Sequence, residues 1–238
     1  GAPPPIPLME RFKSELGIDI TTAYGLTETY GPLTCSLSTI DEKEKILHQA
    51  FHIAAAEIRV VDPDTYELVP KDGVHVGEVI AKGNTIMKGY LRNERATLEA
   101  FQDGWFRTGD LAVWYPSGIF EIKDRAKDVI ISGGENIMSV EVESALYSHP
   151  NVVGVACVAM PDDFWGEVVC AVVETDLHQS DKKVTESELI EHTRNLLAHY
   201  KIPKLVLFRK LPRTATGKIQ KHILKKELLA ELIDRQNN

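Results

Sequence analysis

The chain has 238 residues, 43% of them hydrophobic and 26% charged, with 12 Pro and 16 Gly. That balance excludes a disordered or collagen-like polymer and leaves room for one large domain or two smaller ones. A formal net charge of −8 argues against a general nucleic-acid or membrane-surface binder, although an anionic cofactor needs only local positive charge.

In chain order, Leu8, Phe12 and Leu16 repeat at helical spacing and predict a short amphipathic helix. Ile18 to Thr21 read as a strand entering a turn around Gly25. From Ala56 to about Ile122, β-rich runs at Ile58 to Val61, Val76 to Ala81 and Ile119 to Ile122 alternate with Asp-Pro and Gly turns. This is the pattern of a twisted sheet or partial barrel. Beyond Asp128, strands are predicted at Val129 to Ile131, Val152 to Ala159, Val168 to Val173 and Leu205 to Phe208. Helices are predicted at Ser139 to Tyr147, after a Thr185/Glu188 capping box, and around Leu224, Leu228 and Leu232. The expected fold is mixed α/β: a β-rich partial barrel over residues 1–126, then a small α+β module over 127–238. The boundary falls at Arg125 to Asp128, where the chain is charged and poor in apolar residues.

Cys35, Cys157 and Cys170 show neither close pairing nor metal-ligand spacing and read as reduced, which points to a reducing intracellular compartment, cytoplasm or organelle lumen. His48 and His52 read as loop residues without a third metal ligand nearby. No apolar stretch reaches the length of a membrane span. The opening Gly1-Ala2-Pro3, without Met, reads as the start of a fragment.

Four polar, glycine-containing clusters carry candidate chemistry. Tyr24-Gly25-Leu26-Thr27-Glu28 sets an aromatic beside a hydroxyl and a carboxylate. It reads either as a base-stacking, phosphate-binding and Mg²⁺-binding set or as a turn with a surface Glu. In Gly104 to Asp110, an Asp after a tight glycine turn either accepts two bonds from a ribose diol or caps the next strand. Asp124-Arg125, Lys127-Asp128 and Ser132-Gly133-Gly134-Glu135-Asn136 form either a nucleotide clamp followed by a thin-ligand passage or a surface ion-pair cluster and a loop. Pro212 to Ile219 reads as a mobile loop of small residues presenting Lys218; no glycine precedes Gly217-Lys218 at phosphate-loop spacing.

In this order and spacing, these clusters resemble the adenylate-forming superfamily of acyl-CoA synthetases, luciferases and peptide-synthetase adenylation domains. Gly77-Glu78 to Gly83 and Gly89-Tyr90 match a further motif, so the resemblance runs over essentially the whole chain. It implies that Gly1, Ala2 and Pro3 touch adenine, that Tyr24 beside Gly25 stacks on it, that Thr27 meets the α-phosphate and that Glu28 helps hold Mg²⁺. It implies a ribose contact for Asp110, a second ribose or phosphate contact for Arg125 and a hinge at Lys127. Lys218 matches the lysine that bridges the substrate carboxylate and the phosphate. Gly133 and Gly134 would line the pantetheine passage, and Trp165, Tyr200 and Lys204 would meet the CoA nucleotide.

The implied activity is ATP-dependent activation of a carboxylic acid, fatty or aromatic, to an acyl-adenylate, followed by transfer to CoA. Thr29-Tyr30-Gly31-Pro32 and Gly134-Glu135-Asn136-Ile137 look like short- and medium-chain ligases of plants and bacteria. Two alternatives stand beside it: an adenylation domain of a peptide synthetase, and an inactive nucleotide- or CoA-binding fragment. The second arises because the superfamily's phosphate loop, rich in Thr, Ser and Gly, is not in this chain. A further departure is Ala50-Phe51-His52, where relatives carry a Gly-x-Pro pattern.

Overall fold

The computed structural model describes residues 12–18, 20–35, 48–49, 56–175 and 184–236. It divides into two compact units, Ala2–Ala126 and Lys127–Asn238.

In the first unit, residues 12–16 are helical, and Leu8 lies outside the described residues. Of the strand expected at Ile18 to Thr21, the described residues Ile18, Ile20 and Thr21 carry no regular structure, and β1 starts at Ala23, opposite Cys35. Strands β1 (Ala23–Leu26) and β2 (Gly31–Cys35) form an antiparallel hairpin around the 3₁₀ turn Thr27–Thr29. Gly25 therefore sits in a strand, not in a turn. A Cβ there would lie 2.3 Å from the Gly31 carbonyl oxygen, so only glycine lets β2 approach this closely. Thr29, 1% exposed, pins the turn: its hydroxyl accepts the Leu26 amide and reaches the carbonyls of Leu26 and Gly31.

The larger sheet of this unit has β3 (His48–Gln49), β4 (Ala56–Val61), β5 (Val76–Gly83), β6 (Phe101–Gln102), β7 (Trp105–Trp114) and β8 (Phe120–Arg125). Their order is β3-β8-β7-β5-β4, with β6 on β7 and every pairing antiparallel. Among the described residues this path is open and does not close into a barrel. Its core gathers Ile58, Val60, Val79, Ala81, Trp114 and Phe120, with Leu33 and Tyr24 contributed by the hairpin. His48 belongs to a strand, not a loop, and His52 lies outside the described residues. A short helix, α1 (Glu94–Ala100), precedes β6.

The second unit starts with the hairpin β9 (Ile130–Ser132) and β10 (Glu135–Ile137). Gly133 and Gly134, with φ of +59° and +87°, supply the two left-handed positions that a tight two-residue turn requires. Helix α2 (Ser139–Tyr147), the long strands β11 (Val152–Asp162) and β12 (Gly166–Thr175), helix α3 (Glu186–Arg194), β13 (Leu205–Phe208) and helix α4 (Lys221–Gln236) follow. The sheet order is β10-β9-β12-β11, with β13 parallel to β12.

The apolar runs of β11 and β12 are continuous because both faces of the pair are covered. Cys157, Ala159, Val169 and Ala171 pack with Val142, Leu146 and Leu189 of α2 and α3. Val158, Met160, Val168 and Cys170 pack with Leu224 and Leu228 of α4. Thr185 caps α3 by accepting the Glu188 amide, and α3 ends at Arg194, before Leu196 and Leu197. Cys35, Cys157 and Cys170 are free thiols, and burial pushes Cys170 up to about 11.

Candidate active site

The site in the first unit is built on a bulge in β7. Along the β5–β7 ladder, Glu78 pairs with Leu111 and Ile80 with Arg107, so Thr108, Gly109 and Asp110 together face Val79. Gly109 adopts a φ of +71°, which a side chain would resist. Five hydrogen bonds hold the bulge. The buried Glu78 carboxylate accepts Nε and Nη2 of Arg107 (2.9 and 2.6 Å) and the Gly109 amide (3.0 Å). The Thr108 hydroxyl donates to the Val79 carbonyl (2.6 Å) and accepts the Asp110 amide (3.1 Å). Asp110 thus lies within a bulged strand, not after a glycine turn as the sequence reading expected.

Asp110 stands directly across the ladder from Arg125 on β8. Its Oδ1 accepts Arg125 Nε (2.9 Å), and its Oδ2 accepts the Tyr24 hydroxyl (2.8 Å). Tyr24 sits edge-on to Phe120, with ring centroids 6.0 Å apart. Burial, reinforced by the Asp110 carboxylate, pushes the Tyr24 phenol well above its usual range, so it remains a donor. Three residues separated in the sequence therefore meet at one carboxylate, on a side chain that is 9% exposed.

Thr27 and Glu28 occupy the 3₁₀ turn at the end of β1. Glu28 Oε1 accepts the Tyr90 hydroxyl (3.0 Å), and its carbonyl accepts the Met87 amide (2.8 Å). The Tyr90 amide is held by the Thr97 hydroxyl (2.9 Å). Sequence reasoning noted Gly89-Tyr90 only as a motif and missed Tyr90 as the partner of Glu28. A single carboxylate on an open turn suits a hard cation that takes its other oxygen ligands from phosphates and water. Among the described residues there is no cluster of three metal-binding side chains.

In the second unit, Trp165 lies over the Gly133–Gly134 turn. The Gly133 amide donates to the Trp165 carbonyl (2.8 Å), and a Cβ at Gly133 would come within 2.8 Å of the indole. Phe164 meets Trp165 edge-on at 4.8 Å, leaving an exposed aromatic ledge beside the glycines. Tyr200 and Lys204 lie on a separate stretch, around the 3₁₀ turn His199–Lys201 that leads into β13. Lys127, exposed, is in the 3₁₀ turn Ala126–Asp128 between β8 and β9.

The lysine segment forms a closed hairpin. Arg213 and Ile219 form a β-bridge, the Thr214 amide donates to the Lys218 carbonyl (2.8 Å), and the Lys218 amide donates to the Thr214 hydroxyl (3.1 Å). Glu174 of β12 anchors the base of this hairpin by accepting Arg213 Nη2 (2.6 Å) and the Leu211 amide (2.7 Å). Lys218 projects from its exposed end. Gly1, Ala2 and Pro3 lie outside the described residues.

The geometry can be set beside known proteins. The model of the AMP-binding enzyme family matches residues 1–91, and that of the AMP-binding enzyme C-terminal domain matches residues 141–218. Acetate–CoA ligase CCL3 of Humulus lupulus is 47% identical over 94% of the chain and 41% of its own length. The 2-methylpropanoate–CoA ligase CCL4 of the same plant is 46% identical over 94% of the chain and 42% of its own length. The chain spans less than half the length of the curated relatives it matches. ATP-bound MatB of Rhodopseudomonas palustris superposes with a TM-score of 0.86 at 31% identity, over 95% of this chain and 44% of its own. The o-succinylbenzoate CoA synthetase MenE of Bacillus subtilis, in complex with an acyl-adenylate, gives 0.82 at 35% identity, over 94% and 44%. Matched by the AMP-binding enzyme family near its start and by that family's C-terminal domain near its end, the chain belongs to the adenylate-forming superfamily, alongside its acyl-CoA ligases.

Proposed function

We propose that the protein is an acid–thiol ligase that activates a short-chain carboxylic acid with ATP and transfers the acyl group to CoA. The observation that carries this reading is the Asp110 carboxylate, held by Arg125 and Tyr24 with an oxygen toward each. Both oxygens retain acceptor capacity for the two hydroxyls of a ribose. Acetate and 2-methylpropanoate, the acids named for the hop relatives, define the substrate class to assay first. A reducing compartment agrees with three free cysteines.

In the first half-reaction a substrate carboxylate oxygen bonds to the α-phosphorus of ATP and pyrophosphate leaves. Asp110 and Arg125 orient the ribose, Tyr24 and Gly25 face the base, and Thr27 lies on the turn assigned to the α-phosphate. Glu28, steadied by Tyr90, would hold Mg²⁺, which supplies charge neutralisation to the phosphates when bound. Lys218 would supply a cation to offset the charge of two anions that must approach each other. In the second half-reaction the CoA sulfur bonds to the acyl carbon and AMP leaves. Here the Gly133–Gly134 turn and Trp165 would admit the thiol arm, with Tyr200 and Lys204 on the CoA nucleotide. Lys127 would be the pivot that exchanges the two arrangements, since an exposed ammonium stays solvated in either.

Acid-dependent ATP–pyrophosphate exchange by the active enzyme tests the reading. Asp110→Ala removes two charge-assisted hydrogen bonds and should weaken ATP use by about 2–4 kcal/mol, read as a raised KM for ATP. An unchanged ATP dependence would make Asp110 a purely structural group.

A further inference from the structure

We propose that Tyr24, through its phenol hydroxyl, is a positioning residue that orients the Asp110 carboxylate for the ribose and thereby sets the preference for ribonucleotide over deoxynucleotide. This rests on the reading of Asp110 as the ribose contact. The geometry goes further than that reading, because it separates what each neighbour of Asp110 does.

The Asp110 main chain has little freedom. Its amide is held by Thr108, and the bulge that carries it is locked by Glu78 on the Gly109 amide. What remains free is rotation of the carboxylate plane, a broad torsion with shallow preferences. One bond, from Arg125 Nε to Oδ1, fixes one oxygen and leaves the plane able to swing about it. The second bond, from the Tyr24 hydroxyl to Oδ2, arrives from a different element, the β1 strand, and fixes the plane.

An ionised carboxylate has about four acceptor positions. With one used on each oxygen by Arg125 and Tyr24, one on each oxygen remains for a vicinal diol. A ribose that lacks either hydroxyl would leave one of these buried positions unsatisfied, which is how a site built for a hydroxyl rejects its deoxy analogue. Phe120 packs against the Tyr24 ring and keeps the phenol from turning away. Stacking on adenine needs only the ring, so the hydroxyl's contribution can be isolated by removing it alone.

The test compares wild type, Tyr24→Phe and Asp110→Asn in the active enzyme, with acetate as the acid. The kcat/KM of the exchange reaction is measured with ATP, 2′-deoxy-ATP and 3′-deoxy-ATP. The ratio between nucleotides is internal to each variant and does not depend on the active fraction. Wild type should prefer ATP, and Tyr24→Phe should lower that preference about tenfold, the worth of one hydrogen bond to a charged group. Its kcat at saturating ATP should change much less. A Tyr24→Phe enzyme with the full wild-type preference overturns the proposal and leaves the ribose reading intact. A wild type indifferent to both deoxy analogues, with Asp110→Asn equally indifferent, overturns the ribose reading and the proposal with it. Should Tyr24→Phe fail to fold, Tyr24→Met, which is smaller and has no hydrogen-bond donor, carries the same comparison, since the nucleotide ratio is internal to the variant.

Discussion

Glu78 is 4% exposed, and its carboxylate serves Arg107 and the Gly109 amide. Glu78→Gln would leave the Arg107 guanidinium without its counter-ion and loosen the bulge. Breaking a fully buried pair costs about 3–5 kcal/mol, and the partial exposure of Arg107 lowers the expected loss to about 2–3 kcal/mol. Urea unfolding should show that loss together with a raised KM for ATP, because Asp110 follows the bulge. Loss of stability with unaltered ATP use would separate the bulge from the nucleotide site. At this scale the approach of Arg125 to Asp110 was legible, because each stands in a motif with a recognisable order, whereas the bond from Tyr24 to Asp110 was not. Glu78, Tyr90 and Glu174 were not assigned roles, because their partners lie 29, 62 and 39 residues away in the sequence. No local pattern announces such pairs; they exist only once the strands are in register.

Among the elements, β11 and β12 were plain in the sequence, since a run buried on both faces has little polar residue to interrupt it. Helix α2 was read with the bounds it has in the structure. Strand β7 was harder: the glycine before Asp110 read as a tight turn, whereas Gly109 marks a bulge inside a continuous ten-residue strand. The small residues of the lysine loop gave no sign of its hairpin, which Thr214 closes from both its backbone and its hydroxyl. The packing of α2 against α3 also carries a pH dependence. His149 meets His192 edge-on, with Glu188 3.9 Å from its Nε2, and burial, then His192, hold its pKa below the ordinary 6.5 while Glu188 opposes them. A histidine whose folded-state pKa is depressed favours unfolding once the unfolded chain takes up the proton. Stability should therefore fall as the pH drops below about 6.5. His149→Gln should flatten that fall between pH 7.5 and pH 5.5 in urea unfolding; an undiminished slope would place the proton uptake elsewhere.

At the level of the whole molecule, the division at Ala126 and Lys127 separates two units with their own cores. The charged stretch Asp124 to Asp128 was the visible cue in the sequence, although Asp124, 2% exposed, still belongs to β8 and the chain leaves the first unit's sheet only after Arg125. The account requires the two half-reactions to use different parts of the second unit: the lysine hairpin for adenylation, and the glycine turn with its aromatic ledge for thioester formation. Single-turnover measurement of both half-reactions in Lys218→Ala tests this most directly. Adenylate formation should fall by about 10²–10³, the typical cost of one electrostatic contact to the transition state. Conversion of a supplied acyl-adenylate to the CoA thioester should proceed at close to the wild-type rate. Equal losses in the two half-reactions, or no loss in either, would contradict the account.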